Sequence, residues 1–546
     1  MVRTGESIAP EERVGHGRTQ SFPGMTPTSP WFRSFSVIVL VALGVARSEA
    51  QPKPAAPVPA VQTVGELRAR LEAHVTEARF SGGLWGVKIV SLDSGRTLFE
   101  HHADRLMSPA SNTKLYTGAL ALDVLGGGYR IVTPIFAATK PDRAGVVQGD
   151  VIVSGRGDPS WKTRGAAGAA GKDFWSTFEP FVAVLEKAGV RRVTGDIVAD
   201  ATWWRGVPHG AGWTANDLND SYGAEISAIS LEDNYAELRL SPGAQAGDSC
   251  SFTLLQPQTG LVIDNRVTTV AKGGKRAIEA TRVMGENVVH VFGELPAGEQ
   301  DEVVNLPVPR PANWFAAALR AALVKGGIVV EGGARSVRWP EASPVGAKNF
   351  KLGELASPPL RELVAAFMKP SQNLETDLIF AQVGEVRRSA DAPARRTTEE
   401  SGVLVLGEFL KAHGLPVSEV RFEEGSGLSR NNLTTANATV ALLKLMATHR
   451  EAKAFGDSLP IAGVDGTLRR RLKGTAAEGN VRAKTGTLRY ANSFSGYVTT
   501  AAGERLAFSL MLNRVTVQAG RSVSAELDEV AVWLAGLAGR SEVAGR

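Results

Sequence analysis

A change of texture in the middle of this 546-residue chain limits what it can fold into more than any other feature. Over residues 131–339, short alternating segments at 151–154, 193–199, 236–240, 261–265 and 288–292 are punctuated by Gly, Pro and Asp, the pattern of a β-rich module. Within it, 165–171 is Gly/Ala-rich, a flexible loop by composition. On either side the apolar residues recur with helical period. Thr63 and Glu66 have capping-box spacing, and Val64, Leu67, Leu71 and Val75 then line one face. Further helices are expected over 112–125, stopped by Gly126-Gly127-Gly128, and over 360–367, 375–383, 403–412, 436–448 and 522–537. A hairpin is expected at 84–92 and 97–102 around Asp93-Ser94-Gly95, and two strands at 494–499 and 505–513. The fold class is α/β.

With 43% hydrophobic and 21% charged residues, the chain can bury a large core. Its formal charge of +5 is a weak field over this length, and no Lys/Arg run with interleaved aromatics marks a nucleic-acid footprint. A single cysteine, Cys250, excludes an internal disulfide. The eight histidines contain neither His-Glu-x-x-His nor a ligand cluster, so no metal or other cofactor is expected. His101 and His102 are neighbours on a strand, where successive side chains face opposite sides, which argues against a metal shared between them.

Trp31-Phe32-Arg33, an apolar run from Phe35 to Ala46 and Arg47-Ser48-Glu49-Ala50 read as a secretory signal peptide over 1–50, cleaved after Ala50. The run is short of the ~20 apolar residues of a membrane span, so membrane contact is expected to be peripheral at most. Counted from Met1 the preceding segment is long and carries Glu6, Glu11 and Glu12; from Met25 it is short, which points to Met25 as the start. A Pro/Ala-rich linker follows over 51–63.

Ser111-Asn112-Thr113-Lys114 sets a hydroxyl and an amine at i and i+3 at a helix start, on one face and within contact range, as a nucleophile and its base require. Ser371-Gln372-Asn373 adds a second hydroxyl and an amide ahead of a helix, and Lys484-Thr485-Gly486-Thr487 a cation, a hydroxyl and a glycine on a strand. Each motif alone is weak. In this order the three resemble the signature of serine β-lactamases and penicillin-binding proteins.

The resemblance extends to Ser108-Pro109-Ala110-Ser111-Asn112-Thr113-Lys114-Leu115, Gly155-Arg156-Gly157-Asp158-Pro159, Ser221-Tyr222-Gly223-Ala224, Lys369-Pro370-Ser371-Gln372-Asn373-Leu374, Gly425-Ser426-Gly427-Leu428-Ser429-Arg430 and Gly463-Val464-Asp465-Gly466-Thr467-Leu468. In these segments, from about Val64 onward, the chain resembles the low-molecular-mass class C penicillin-binding proteins, the D-Ala-D-Ala carboxypeptidase/endopeptidases similar to penicillin-binding protein 4. Glu424 stands where that family usually has Asp.

The resemblance implies an antiparallel sheet flanked by helices, with a helical subdomain, as a discontinuous catalytic domain over 64–130 and 355–546 and β-rich domains inserted over 131–354. It implies peptidoglycan stem peptides as substrate, β-lactams as covalent inhibitors, and a periplasmic location. Ser111 would be the acylated nucleophile and Lys114 its base, kept neutral by burial and by Lys484. Ser371 would relay the proton to the leaving amine, and Asn373 orient substrate and lysine. Lys484 and Thr485 would hold the terminal carboxylate, the N–H groups of Ser111 and Thr487 form the oxyanion hole, and Gly486 admit the substrate closely.

Two other readings exist, a β-lactamase-type hydrolase and a catalytically idle wall-binding protein. About 260 residues separate Ser111 from Ser371, far more than a β-lactamase places there, and the complete motif set argues against an idle protein. Gly-Asp-Pro and Tyr-Gly-Ala within the middle segment read as turn and packing features.

Overall fold

The computed structural model describes residues 61–164, 173–515 and 522–541. The expected signal peptide, the start at Met25, the linker up to residue 60 and the Gly/Ala-rich stretch at 165–171 lie outside the described residues.

Thr63 caps the first helix, α1 (Val64–Val75): its hydroxyl accepts the Glu66 N–H at 3.1 Å, while the Glu66 carboxylate accepts the N–H of Gln62 at 2.9 Å. The hairpin follows as β1 (Leu84–Ser91) and β2 (Thr97–His101). The strand stops at His101, and His102 adopts a φ of 43°. Alternation therefore fails here, and the two imidazole centroids stand 4.2 Å apart instead of on opposite faces. A 3-10 turn over Ala110–Asn112 leads into α2 (Thr113–Leu125), closed by Gly126.

From Val132 to Ala356 the chain builds four sheets among the described residues. The largest is mixed, in the order Ala334–Arg338, Ile197–Ala201, Val151–Ser154, Val132–Ala137, Phe350–Ala356. The expected β texture is present but not exclusive, because the helices Glu179–Lys187 and Pro311–Lys325 interrupt it. In the longer one Pro311 takes a first-turn position where its missing N–H costs nothing. Trp314, Phe315, Ala318, Leu319, Ala322 and Leu323 then form a buried stripe of helical period.

After this segment come α3 (Leu360–Met368), α4 (Asn373–Val386), α5 (Thr398–Ala412) and α6 (Ala436–Thr448). The strands β3 (Arg482–Leu488), β4 (Ala491–Thr499) and β5 (Arg505–Asn513) and the helix α7 (Val523–Ala535) close the chain. β1 pairs antiparallel with β5, from Leu84 opposite Asn513 to Ser91 opposite Leu506, so the two ends of the sequence share one antiparallel sheet of order β3-β4-β5-β1-β2.

Strand alternation assigns the faces of this sheet. Val87, Ile89, Phe508 and Leu510 pack with Leu67 and Leu71 of α1 and Leu527 and Leu534 of α7. Val90 and Ala507 join Leu115 of α2, Phe367 of α3 and Leu442 of α6 in a second core. Helix α4 is apolar on more than one side. Ile379, Phe380 and Val383 enter that second core, while Leu374, Leu378 and Ala381 enter the core of the middle segment. A helix buried between two cores has little freedom to shift, and it begins at Asn373.

Candidate active site

Ser111 lies on the 3-10 turn that opens α2, half-buried, with Lys114 one turn on and fully buried. The Lys114 Nζ donates to Asn373 Oδ1 at 2.6 Å and to the Ser426 carbonyl at 2.6 Å, and lies 3.3 Å from Ser111 Oγ. Asn373 in turn donates through Nδ2 to the Tyr222 carbonyl at 3.0 Å, so the middle segment touches the site directly. Burial lowers the Lys114 pKa to about 8, against the opposing pull of the neighbouring acid pair formed by Asp377 and Glu424.

Ser371 holds a φ of 68°, a left-handed conformation costly for a residue with a Cβ. Its Oγ accepts from Lys484 Nζ at 2.8 Å, and the same ammonium donates to the Thr485 carbonyl at 2.6 Å. Lys484 is fully buried on β3, and burial, then Lys114, hold its pKa well below the usual lysine range. Thr485 Oγ1 lies 2.8 Å from Thr467 Oγ1, while Thr487, two residues on, is exposed. The loop carrying Thr467 is bound to the approach to Ser371 through Lys369, which donates to Asp465 at 2.7 Å and accepts the Thr467 N–H at 3.0 Å.

Gly486 is dictated by space. A Cβ there would stand 2.2 Å from Ser493 Oγ, 2.6 Å from the Pro109 carbonyl and 3.0 Å from the Ser111 nitrogen. β3 therefore runs directly against the turn that presents Ser111, and the Ser493 hydroxyl fastens the two by donating to the Pro109 carbonyl at 2.6 Å. Gly427, at φ 85°, plays the matching part on the other side, where a Cβ would meet the Ala110 carbonyl at 2.0 Å.

All three expected motifs thus converge. The sequence did not single out the Ser426 carbonyl, the Tyr222 carbonyl, Thr467 or the buried Asp377 and Glu424 as parts of the site. Four of these lie in segments carrying the resemblance or, for Glu424, beside one; Asp377 could have been found at i+4 from Asn373, on the same helix face.

Residues 67–534 match the D-Ala-D-Ala carboxypeptidase 3 (S13) family. This chain belongs to that family. As an S13 protein it is a low-molecular-mass class C penicillin-binding protein and a serine-type D-Ala-D-Ala carboxypeptidase. The S13 chain is 32% identical to the D-alanyl-D-alanine carboxypeptidase of Actinomadura sp. (strain R39) over 495 residues, 88% of this chain and 86% of the relative. It is 24% identical to the D-alanyl-D-alanine carboxypeptidase DacB of Haemophilus influenzae over 444 residues, 81% of this chain and 88% of that one. The crystal structure of penicillin-binding protein 4 (dacB) from Haemophilus influenzae shares its fold, with a TM-score of 0.70 at 24% identity over 86% of this chain and 97% of that chain.

Proposed function

We propose that the S13 chain releases the terminal D-Ala of peptidoglycan stem peptides, or cleaves the D-Ala cross-link, through an acyl-enzyme on Ser111. The observation that carries this is the Lys114 Nζ, buried and held by Asn373 and Ser426 at 2.6 Å each, with Ser111 Oγ at 3.3 Å. A neutral amine has two N–H groups and one lone pair. With both N–H groups donated to those two carbonyl oxygens, the lone pair is left for the Ser111 O–H. A pKa of about 8 leaves about a tenth of the lysine neutral at pH 7, enough to act as base.

Ser111 Oγ then attacks the carbonyl carbon of the penultimate D-Ala as its proton passes to Lys114. The oxyanion formed is met by the N–H groups of Ser111 and Thr487, each such donor worth about 2.7–4 kcal/mol. Collapse of this intermediate breaks the peptide C–N bond, and Ser371 hands a proton to the departing amine. Water hydrolyses the ester and restores Ser111. Lys484 and Thr485 take the substrate's terminal carboxylate; an incoming anion would restore a counter-charge that Lys484 lacks in the free site.

Residues 64–130 and 355–546 make the catalytic domain in this reading, with 131–354 inserted. We further propose secretion to the periplasm, with cleavage after Ala50 and translation from Met25, on the strength of the apolar run from Phe35 to Ala46 and the small residues before Gln51. The N-terminal mass of the exported protein tests the cleavage, and the mass of the unprocessed precursor tests the start at Met25.

Ser111→Ala should abolish covalent labelling by a fluorescent penicillin, and persisting label would move the nucleophile elsewhere. Lys484→Ala should impair D-Ala release with the fold intact; unchanged kinetics would remove it from carboxylate binding. Digestion of cross-linked and uncross-linked muropeptides, read by mass spectrometry, separates the endopeptidase and carboxypeptidase activities.

A further inference from the structure

Resting on the reading of Ser111 and Lys114 as nucleophile and base, we propose that Glu424 is a positioning residue: it carries the single negative charge of a buried acid pair, Glu424 and Asp377, and so sets the pH at which Lys114 becomes a base. Both carboxyl groups are buried, at 0% and 2% exposure, with Asp377 on α4 and Glu424 at the root of the loop that sends the Ser426 carbonyl to Lys114.

Their hydrogen bonds assign the charge. Glu424 abuts the Asp377 carboxyl and is otherwise surrounded by donors. It accepts the N–H groups of Ser426 at 2.9 Å, Gly427 at 2.7 Å and Ser429 at 3.4 Å, the Asn432 Nδ2 at 2.7 Å and the Ser426 hydroxyl. A proton added to this carboxyl group would compete with these donors for the same oxygens. Asp377 is the opposite case. Its Oδ1 accepts one N–H, from Gly425 at 3.0 Å, and its Oδ2 is buried with no hydrogen-bond partner. Ionised, that oxygen would be a buried charge without a donor; protonated, it is tolerable. Burial, followed by the charge of Glu424, pushes the Asp377 pKa well up, in agreement with the geometry.

The other ionisable groups around Lys114 do not supply the charge. Lys484, from β3, is held toward its neutral form by burial and by Lys114 itself. Glu399, from α5, is raised to about 8 by burial and then by Glu424 and Glu423, and it acts on the acid pair. Glu423 is engaged by the Asn431 amide at 2.8 Å. Glu424 thus acts on Lys114 twice, through its charge, which favours the ammonium, and through the loop it holds, which aims the Ser426 carbonyl.

The test is the pH dependence of acylation by a chromogenic cephalosporin. The wild-type rate should fall on the acid side as Lys114 takes up a proton. Glu424→Gln removes the counter-charge and should move that acid limb to lower pH by about one unit or more, whatever the height of its plateau. Asp377→Asn, replacing a group already neutral, should leave the limb within a few tenths of a unit of its place. Glu424→Asp should also keep it, since the charge remains. A merely structural role would change plateau rates and not the limb. An unmoved limb in a folded Glu424→Gln overturns the proposal, as does a downward shift in Asp377→Asn, which would put the charge on Asp377. If Glu424→Gln does not fold, the Asp377→Asn and Glu424→Asp profiles decide by the same criteria. A wild type never acylated at any pH would instead sink the reading of Ser111, and this inference with it.

Discussion

At the scale of single residues, the site is set by spaces as much as by functional groups. Gly486 contributes no side chain, yet a methyl there would collide with Ser493 Oγ, the Pro109 carbonyl and the Ser111 nitrogen. Gly486→Ala should therefore push β3 off the Ser111 turn and, in the proposed mechanism, lower the acylation rate by about 10²–10³, the loss expected when one oxyanion donor is removed. An acylation rate within threefold of wild type would show that β3 is not clamped there. Asp158 offers a residue-scale test of stability. Ser160 donates to its Oδ1 at 2.9 and 2.7 Å, its Oδ2 is buried without a hydrogen-bond partner, and burial raises its pKa to about 6. Because the folded pKa lies above the unfolded one, its favourable contribution is complete below about pH 4 and is lost as pH rises through about 6. Asp158→Asn should then stabilise the protein by on the order of 2–3 kcal/mol at pH 8 and by little at pH 4, as measured by urea unfolding at the two pH values.

At the scale of elements, α4 decides how the middle segment and the cluster around Lys114 are joined. Besides its two apolar faces it carries Glu375, which forms a buried ion pair with Lys162; Lys162 also donates to Asp233 at 3.2 Å. Asp233 belongs to a run of three residues, Glu232, Asp233 and Asn234, all at positive φ, a conformation held by its surroundings rather than by its own preference. Lys162→Met leaves two buried carboxylates without their cation and should cost about 3–5 kcal/mol in urea unfolding. A loss below about 1 kcal/mol would mean that the pair is not what holds this junction.

The same scale shows what the sequence could reveal. Helices with one apolar stripe, such as α1 and α6, and the hairpin at Asp93-Ser94-Gly95 are legible because periodicity and turn chemistry are local. Pro311–Lys325 was hidden by the Gly and Pro around it, although its own stripe is regular. Ser111, Lys114, Ser371, Asn373 and Lys484 were legible through motif order. The carbonyls of Ser426 and Tyr222 were not, because a backbone acceptor has no residue type to betray it, and Asp377 and Glu424 acquire their meaning only from burial.

At the scale of the molecule, β1 and β5 bind the first and last parts of the chain into one sheet. The amides of Val87 and Leu510, paired across that junction, should exchange with solvent through the same opening, with one free energy and one denaturant dependence. A distinctly lower opening energy for β1 would show that the sheet divides. The three-stranded sheet of Val262–Val270, Val288–Pro296 and Ala277–Arg282 packs on a smaller core and should open at lower energy than the central sheet.

Closing the sheet with its last strands also imposes a delay. Ser111 is synthesised early, but Lys484 follows 373 residues later, roughly 20–75 s behind at ~5–20 residues per second. Throughout that interval the nascent polypeptide has a hydroxyl and no chamber around it. With Ser111 as the proposed nucleophile, wall peptide and antibiotic alike would find the site incomplete until the C-terminal end has emerged and docked.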